Sequence, residues 1–130
     1  MALNTRKYID FDIAFTAHPV TGDLVKKKDY SAVSQSIKNL VFLNHYEKPF
    51  HPEIGCNVRK MLFELINPSV ASALRTEIIN TIGNFEPRAK INEVVVKPNY
   101  TEDGYDITIV YTTINLQNPI KINFFLERLR

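Results

Sequence analysis

Cysteine occurs once in this chain of 130 residues, at Cys56. A lone thiol excludes an intramolecular disulfide framework and a cysteine-rich zinc module. Glycines number only 4. None belongs to a glycine-rich loop ending in Lys-Ser or Lys-Thr, and no dinucleotide fingerprint is present, so nucleotide binding has no support. Long apolar runs are missing too. The longest candidates, such as Leu40 to Leu43, fall far short of the roughly 20 residues a membrane span needs. The segment Met1 to Asp10 carries Arg6, Lys7 and Asp10 and lacks the apolar core of a signal peptide, which makes the cytosol the default compartment. Neither sign of charge dominates. Lys+Arg 16 against Asp+Glu 14 leaves a net charge of +2 and a pI near 8.7, too weak to argue for nucleic acid.

What is present suits one globular domain: 45% hydrophobic and 23% charged residues in a length that holds a single core. Ile9, Phe11, Ile13 and Phe15 alternate with Tyr8, Asp10, Asp12 and Ala14, which predicts a strand or an arm laid across another surface. His18 to Asp23 reads as a turn, punctuated by Pro19 and Gly22, and Lys26, Lys27 and Lys28 as its solvated continuation. The period then changes. Val33, Ile37, Leu40 and Val41 form one face of a helix over Asp29 to Asn44, with Asp29 or Ser31 as its cap. Lys48 to Cys56 holds two prolines and a glycine and predicts a structured loop pinned by Phe50 and Ile54. Val58, Met61, Leu62 and Leu65 predict a short helix. Asn67 and Pro68 start a longer one, in which Val70, Leu74, Ile78 and Ile82 recur every four residues and Gly83-Asn84 can close the end.

Beyond Pro87 the period falls to two. Val94 and Val96 oppose Glu93, Val95 and Lys97. Tyr105, Ile107, Ile109 and Tyr111 alternate with polar neighbours, and so do Ile120, Ile122, Phe124 and Leu126. Short links join these runs, so the simplest topology is an antiparallel meander. The expected fold class is α+β: an N-terminal arm and amphipathic helices packed on a C-terminal three-stranded sheet. One domain spans 1–130, with an extended arm and turn (1–28), a helical part (29–85) and the sheet (89–127).

Chemistry-bearing patterns are sparse. His45, His51 and Cys56 share a loop region without zinc-ligand spacing, so no metal or other cofactor is expected. No signature surrounds Cys56 or any serine as a nucleophile. Glu53, Glu64, Glu77 and Glu86 could supply a carboxylate pair, but glycoside hydrolysis needs a geometry that sequence does not specify. Basic and aromatic residues are not interleaved as in a nucleic-acid reader. The most pointed feature is Phe85-Glu-Pro-Arg88, where the long helix meets the first strand. Proline holds two opposite charges in a defined geometry, and Arg can grip a carboxylate with two prongs. Its ordinary reading is a helix terminus with a local ion pair; its sharper reading is a docking device for a protein.

Ser36-Ile-Lys-Asn-Leu40, Lys48-Pro-Phe-His-Pro-Glu-Ile-Gly55, Leu62-Phe-Glu-Leu65 and Phe85-Glu-Pro-Arg88, in this order and spacing, closely resemble the baseplate wedge and sheath-initiator family of contractile tails and related injection systems. Asp12 and His18 to Asp23 resemble that family's N-terminal pattern. The resemblance implies a structural, non-enzymatic protein of the tail baseplate, assembled in the bacterial cytoplasm. Its implied partners are wedge proteins and the tail sheath protein, with room for tube or hub-proximal proteins, and neither nucleic acid nor membrane. It also implies a sheet that receives strands from the first sheath ring by β-augmentation. Carried over, Glu86 and Arg88 are exposed charged contacts, removable without unfolding the domain, and Pro87 is the rigid elbow between them. Phe50, Pro52 and Gly55 match the family's loop and serve either the fold or the wedge contact. The chain ends at Arg130, almost directly after the last strand, which favours a receiving sheet over a donated tail. Because the family has carried a lysozyme-like label, a cell-wall glycoside hydrolase is the alternative.

Overall fold

The computed structural model describes residues 7–130. The first six residues of the expected arm lie outside the described residues. The chain runs β1 (Ile9–Phe11), β2 (Lys26–Lys28), α1 (Tyr30–Phe42), α2 (Val58–Met61), α3 (Pro68–Phe85), β3 (Ala89–Asn99), β4 (Gly104–Thr113) and β5 (Leu116–Glu127). It is an α+β fold in which helices pack against the antiparallel sheet β3-β4-β5, beside a separate two-stranded ribbon β1-β2.

The sheet follows from strict alternation. Along β4, Tyr105, Ile107, Ile109, Tyr111 and Thr113 are buried, while Val110 and Thr112 are partly exposed on the other face. Register carries the pattern across: Ile109 sits opposite Val94 on β3 and opposite Ile122 on β5. A bulge between Ile91 and Glu93 inserts Asn92 and re-aims the start of β3. Two buried tyrosines bring polar tips into the core, and each finds a partner. The Tyr111 hydroxyl donates to the Tyr30 carbonyl (3.1 Å) and meets the Ser34 hydroxyl (2.6 Å). The Tyr105 hydroxyl accepts from the Asn67 amide at 3.3 Å.

α3 lies on the buried face through Val70, Ala71, Leu74, Ile78 and Ile82. Leu74, Ile78 and Ile82 have no exposed surface, and each such burial is worth about 1.5–3 kcal/mol. The start of α3 matches the sequence reading: the Asn67 side chain accepts from the Val70 amide (2.8 Å) and Pro68 occupies the first turn. Its end does not. The helix runs through Gly83 and Asn84 to Phe85, and stops only at Glu86, whose backbone leaves helical geometry just before Pro87. At α1, Val33, Ile37, Leu40 and Val41 face the core as expected, but Asp29 makes no side-chain cap bond, and Ser31 instead donates to the Lys28 carbonyl. The short helix stops at Met61, before Leu65.

Residues 8–28 differ most from the expectation. The arm folds back on itself. Ile9, Asp10 and Phe11 pair with Lys28, Lys27 and Lys26, and the tip closes through His18, whose amide donates to the Asp23 carbonyl at 2.7 Å. The lysine run is therefore a strand, because the turn at 19–22 delivers it beside β1. Among the described residues the ribbon joins neither edge of the large sheet.

Gly104 opens β4 where a side chain has no room. A Cβ there would lie 2.3 Å from the Phe125 ring and 2.4 Å from the Leu126 carbonyl oxygen. Gly104→Ala should lower stability by about 1–3 kcal/mol in denaturant titration, since backbone must move as well as side chain.

Candidate functional site

The Glu-Pro-Arg corner sits where α3 hands the chain to β3. The Glu86 amide continues the helical ladder to Ile82 (2.9 Å), and the Ala89 amide bonds back to the Glu86 carbonyl (3.2 Å). This tight turn aims the Glu86 side chain inward. It is 2% exposed, against the expectation of an exposed contact. Its carboxylate accepts two bonds from Arg88, Nε to Oε1 at 2.6 Å and Nη2 to Oε2 at 2.9 Å. The Ser36 hydroxyl of α1 donates to Oε2. Arg88 in turn reaches Asp10 of the ribbon (3.5 Å) and lies 5.4 Å from the centre of the Tyr8 ring. Pro87 remains exposed.

Electrostatics follow from that geometry. Burial alone would raise the Glu86 pKa, but the Arg88 and Ser36 hydrogen bonds and the Arg88 charge together hold it below its ordinary value. The Glu86 hydrogen bond raises the Arg88 pKa, with burial opposing it. Glu86 is thus an internal fastener rather than a free contact, and Pro87 with the uncovered part of Arg88 forms the accessible surface of the motif. Other displaced carboxylates also move down. The Asn44 amide lowers Glu47, the backbone amide of Glu53 lowers its own side chain, and the Arg130 hydrogen bond lowers Asp103. A glycosidase acid requires the opposite direction.

The loop at 44–56 separates the three residues assigned to it. Gly55 is buried at φ 151°, and a Cβ there would stand 2.7 Å from the backbone of Asn44 and His45. Next to it the Cys56 amide donates to the Leu43 carbonyl (2.8 Å), and burial raises the Cys56 thiol pKa. Gly55 therefore serves the fold. Pro52 is exposed, with its carbonyl accepting from the Tyr46 amide at 3.0 Å. Phe50 is 96% exposed at φ 66°, so it pins nothing; backbone bonds and the Gly55 contact hold the loop instead. Among the described residues, no three His, Cys, Asp or Glu side chains gather where a metal ion could bind.

The large sheet has two outer strands, β3 and β5, and no further strand joins either among the described residues. They are not equivalent. β3 is bulged, and the Arg75 guanidinium of α3 donates to its Val94 carbonyl at 2.8 Å. On β5 the run Ile120 to Glu127 is free of proline. Beside it lies a groove of about 250 Å³, lined by Val41, Phe42, Val58, Leu62 and Leu129. Sequence reasoning could not find this groove, because α1, α2 and the chain end meet only in the folded state.

Two predictions follow from this geometry. Glu86→Gln should lower stability by about 1–3 kcal/mol near pH 7, because it removes the charge facing Arg88. The lowered carboxyl binds fewer protons in the folded chain than in the unfolded one, so its stabilisation is complete above roughly pH 4.3 and fades as pH falls through the folded value. Thermal melts from neutral pH downward should accordingly show a shallower acid decline for the variant. In the loop, Gly55→Ala should lower the melting temperature and Phe50→Ser should leave it unchanged, as calorimetry would read directly.

Comparison with known proteins matches this architecture. Residues 28–118, well over half of the chain, match the family model described as baseplate wedge protein gp25. The baseplate wedge protein gp25 of Enterobacteria phage T4 is 27% identical over 97 residues, covering 75% of this chain and 72% of that protein. A structure from Geobacter sulfurreducens, provisionally described as a tail lysozyme, superposes with a TM-score of 0.69 at 19% identity, covering 75% of this chain and 89% of its own. A chain of the anti-feeding prophage baseplate gives 0.66 at 18% identity, covering 95% of this chain and 88% of its own. At these identities the two structural matches establish a shared fold, including the one with the lysozyme description. With the family model spanning both the helices and most of the sheet, the chain belongs to the baseplate wedge protein gp25 family.

Proposed function

We propose that this chain, as a structural component of a contractile-tail baseplate, templates the first sheath ring by accepting a strand along the outer edge of β5. The observation that carries the reading is the proline-free stretch Ile120 to Glu127, whose outer edge meets no strand among the described residues, beside a largely apolar groove. An added strand gains affinity from main-chain bonds, and alternate side chains give register. The groove offers a place for one apolar side chain of the incoming strand. β3 is the poorer acceptor, since its bulge interrupts the spacing of donors and acceptors and Arg75 already serves one carbonyl, whereas the register shift in β5 lies before Ile120.

The Glu-Pro-Arg motif has a divided role in this reading. Glu86 locks the corner from inside, while Pro87 and the outer part of Arg88 meet another wedge subunit. Phe50 and Pro52 are further contact candidates on the loop, and Gly55 shapes the backbone that presents them.

Hydrogen exchange with the sheath protein of the same tail tests the edge. Amides of 120–127 should gain protection on binding. Protection at 89–97 instead would move the acceptor to β3, and protection at neither would refute strand addition. Pro87→Glu tests the corner: the domain should melt as the wild type does, and recovery of the wedge complex on co-expression should fall. Undiminished recovery would remove Pro87 from the interface.

A further inference from the structure

The β1-β2 ribbon shows two different faces. Its inner face carries Asp10 and Lys27, each already engaged: Asp10 with Arg88, and Lys27 with Asp12 at 3.4 Å. Its outer face carries the cross-strand pairs Ile9–Lys28 and Phe11–Lys26. Residues directly opposite in an antiparallel pair project to the same side. All four are exposed, with Ile9 at 51% and Phe11 at 58%. On the Lys27 side of the ribbon, exposed Ile13 and Tyr30 border a separate groove of about 410 Å³ that Lys27 and Lys38 also line. Among the described residues, Lys26, Lys28 and Lys38 make no ion pair. Asp23, exposed at the tip of the ribbon, and Asp29, partly buried in the turn after Lys28, are the carboxylates nearby in sequence that no ion pair engages. The family model begins at residue 28, so almost all of this ribbon precedes the segment that the model matches.

We infer that the outer face of the β1-β2 ribbon docks an amphipathic helix of a neighbouring tail protein, apolar along one stripe and acidic along its flank. Charge complementarity selects the occupant, because lysines rim the apolar side chains. Spacing is compatible with a helix. Side chains two apart on a strand stand roughly 6.6 Å from one another, and helical positions four apart are separated by about 6 Å. A helix lying along β1 therefore sets successive apolar residues on Ile9 and Phe11. Its acidic flank then falls across Lys28 and Lys26, about 5 Å away on the partner strand. Exposed aliphatic and aromatic residues supply the contact area, and the lysines orient the helix and exclude basic competitors. This surface lies on the opposite face of the ribbon from the Asp10 contact with Arg88, and none of its four residues belongs to the Glu-Pro-Arg corner or the β5 edge.

The full chain is titrated, by fluorescence anisotropy, with a labelled four-turn helical peptide bearing a leucine stripe flanked by glutamates. Controls are the same peptide with lysine flanks, a short DNA duplex, and vesicles of phosphatidylglycerol. The acidic peptide should bind about tenfold more tightly than the basic one. The Lys26→Glu, Lys28→Glu double variant should reverse that preference, and Phe11→Ser should weaken the acidic peptide about fivefold. Neither change touches the buried core, so melting curves should stay at the wild-type value. Equal affinity for the two peptides would overturn the proposal, as would acidic-peptide binding that survives both variants. Binding of DNA or vesicles with the acidic peptide inert would overturn it in favour of a different partner class.

Discussion

A buried carboxylate cannot stand alone in an apolar setting, and the fold around Glu86 is arranged to meet that demand. Three segments distant in sequence converge there: Glu86 and Arg88 at the corner between α3 and β3, Ser36 on α1, and Tyr8 with Asp10 at the ribbon. Each bond satisfies a charge that would otherwise be costly to bury. The same bonds set the angle at which the helix turns into the sheet. They also tie a ribbon whose apolar side chains are half exposed to the body of the domain. One ion pair thus couples the orientation of helices, sheet and ribbon.

From that corner the sheet inherits its exposure. α3 covers the inner face, so from Tyr105 on the buried residues of β4 alternate with exposed or partly exposed ones, and β4 is flanked on both sides. Coverage stops at the outer strands, whose main-chain groups on one side meet no strand among the described residues. A monomer would ordinarily blunt such edges with bulges, prolines or covering elements. β3 has a bulge and a guanidinium at its backbone; β5 has its register shift and its proline, Pro119, only near its beginning. The asymmetry is what a subunit needs if it joins an assembly in one direction.

The aromatic residues divide along the same line between stability and association. Tyr105 and Tyr111 are fully buried with their hydroxyls partnered. Tyr46 and Phe50 instead stand in solvent at positive φ, on a loop held shut by backbone bonds and by the absence of a side chain at Gly55. Left-handed backbone at non-glycine residues costs free energy, and it persists only where the surrounding structure enforces it.

Local periodicity was enough to place the three sheet strands, the two longer helices and the Asn67-Pro68 start, because each depends on residues a few positions apart. The four motif blocks likewise carried the family. What periodicity could not reach depends on long-range pairing. Lys26 to Lys28 reads as a solvated turn until β1 lies beside it, and two short strands reveal themselves only as partners. The end of α3 reads as Gly83-Asn84, yet packing and the Glu86 bonds carry the helix two residues past Gly83 to Phe85. The direction of the Glu86 side chain was equally hidden, since the Ser36 hydroxyl that receives it lies fifty residues earlier. Phe50 looked like an anchor because it is apolar, and the backbone turned it outward. Composition and spacing determined the longer elements and the fold class they build, and the motif blocks the family. Tertiary contacts decided which charged group is fastener and which is surface, because burial belongs to the folded chain and to no residue alone.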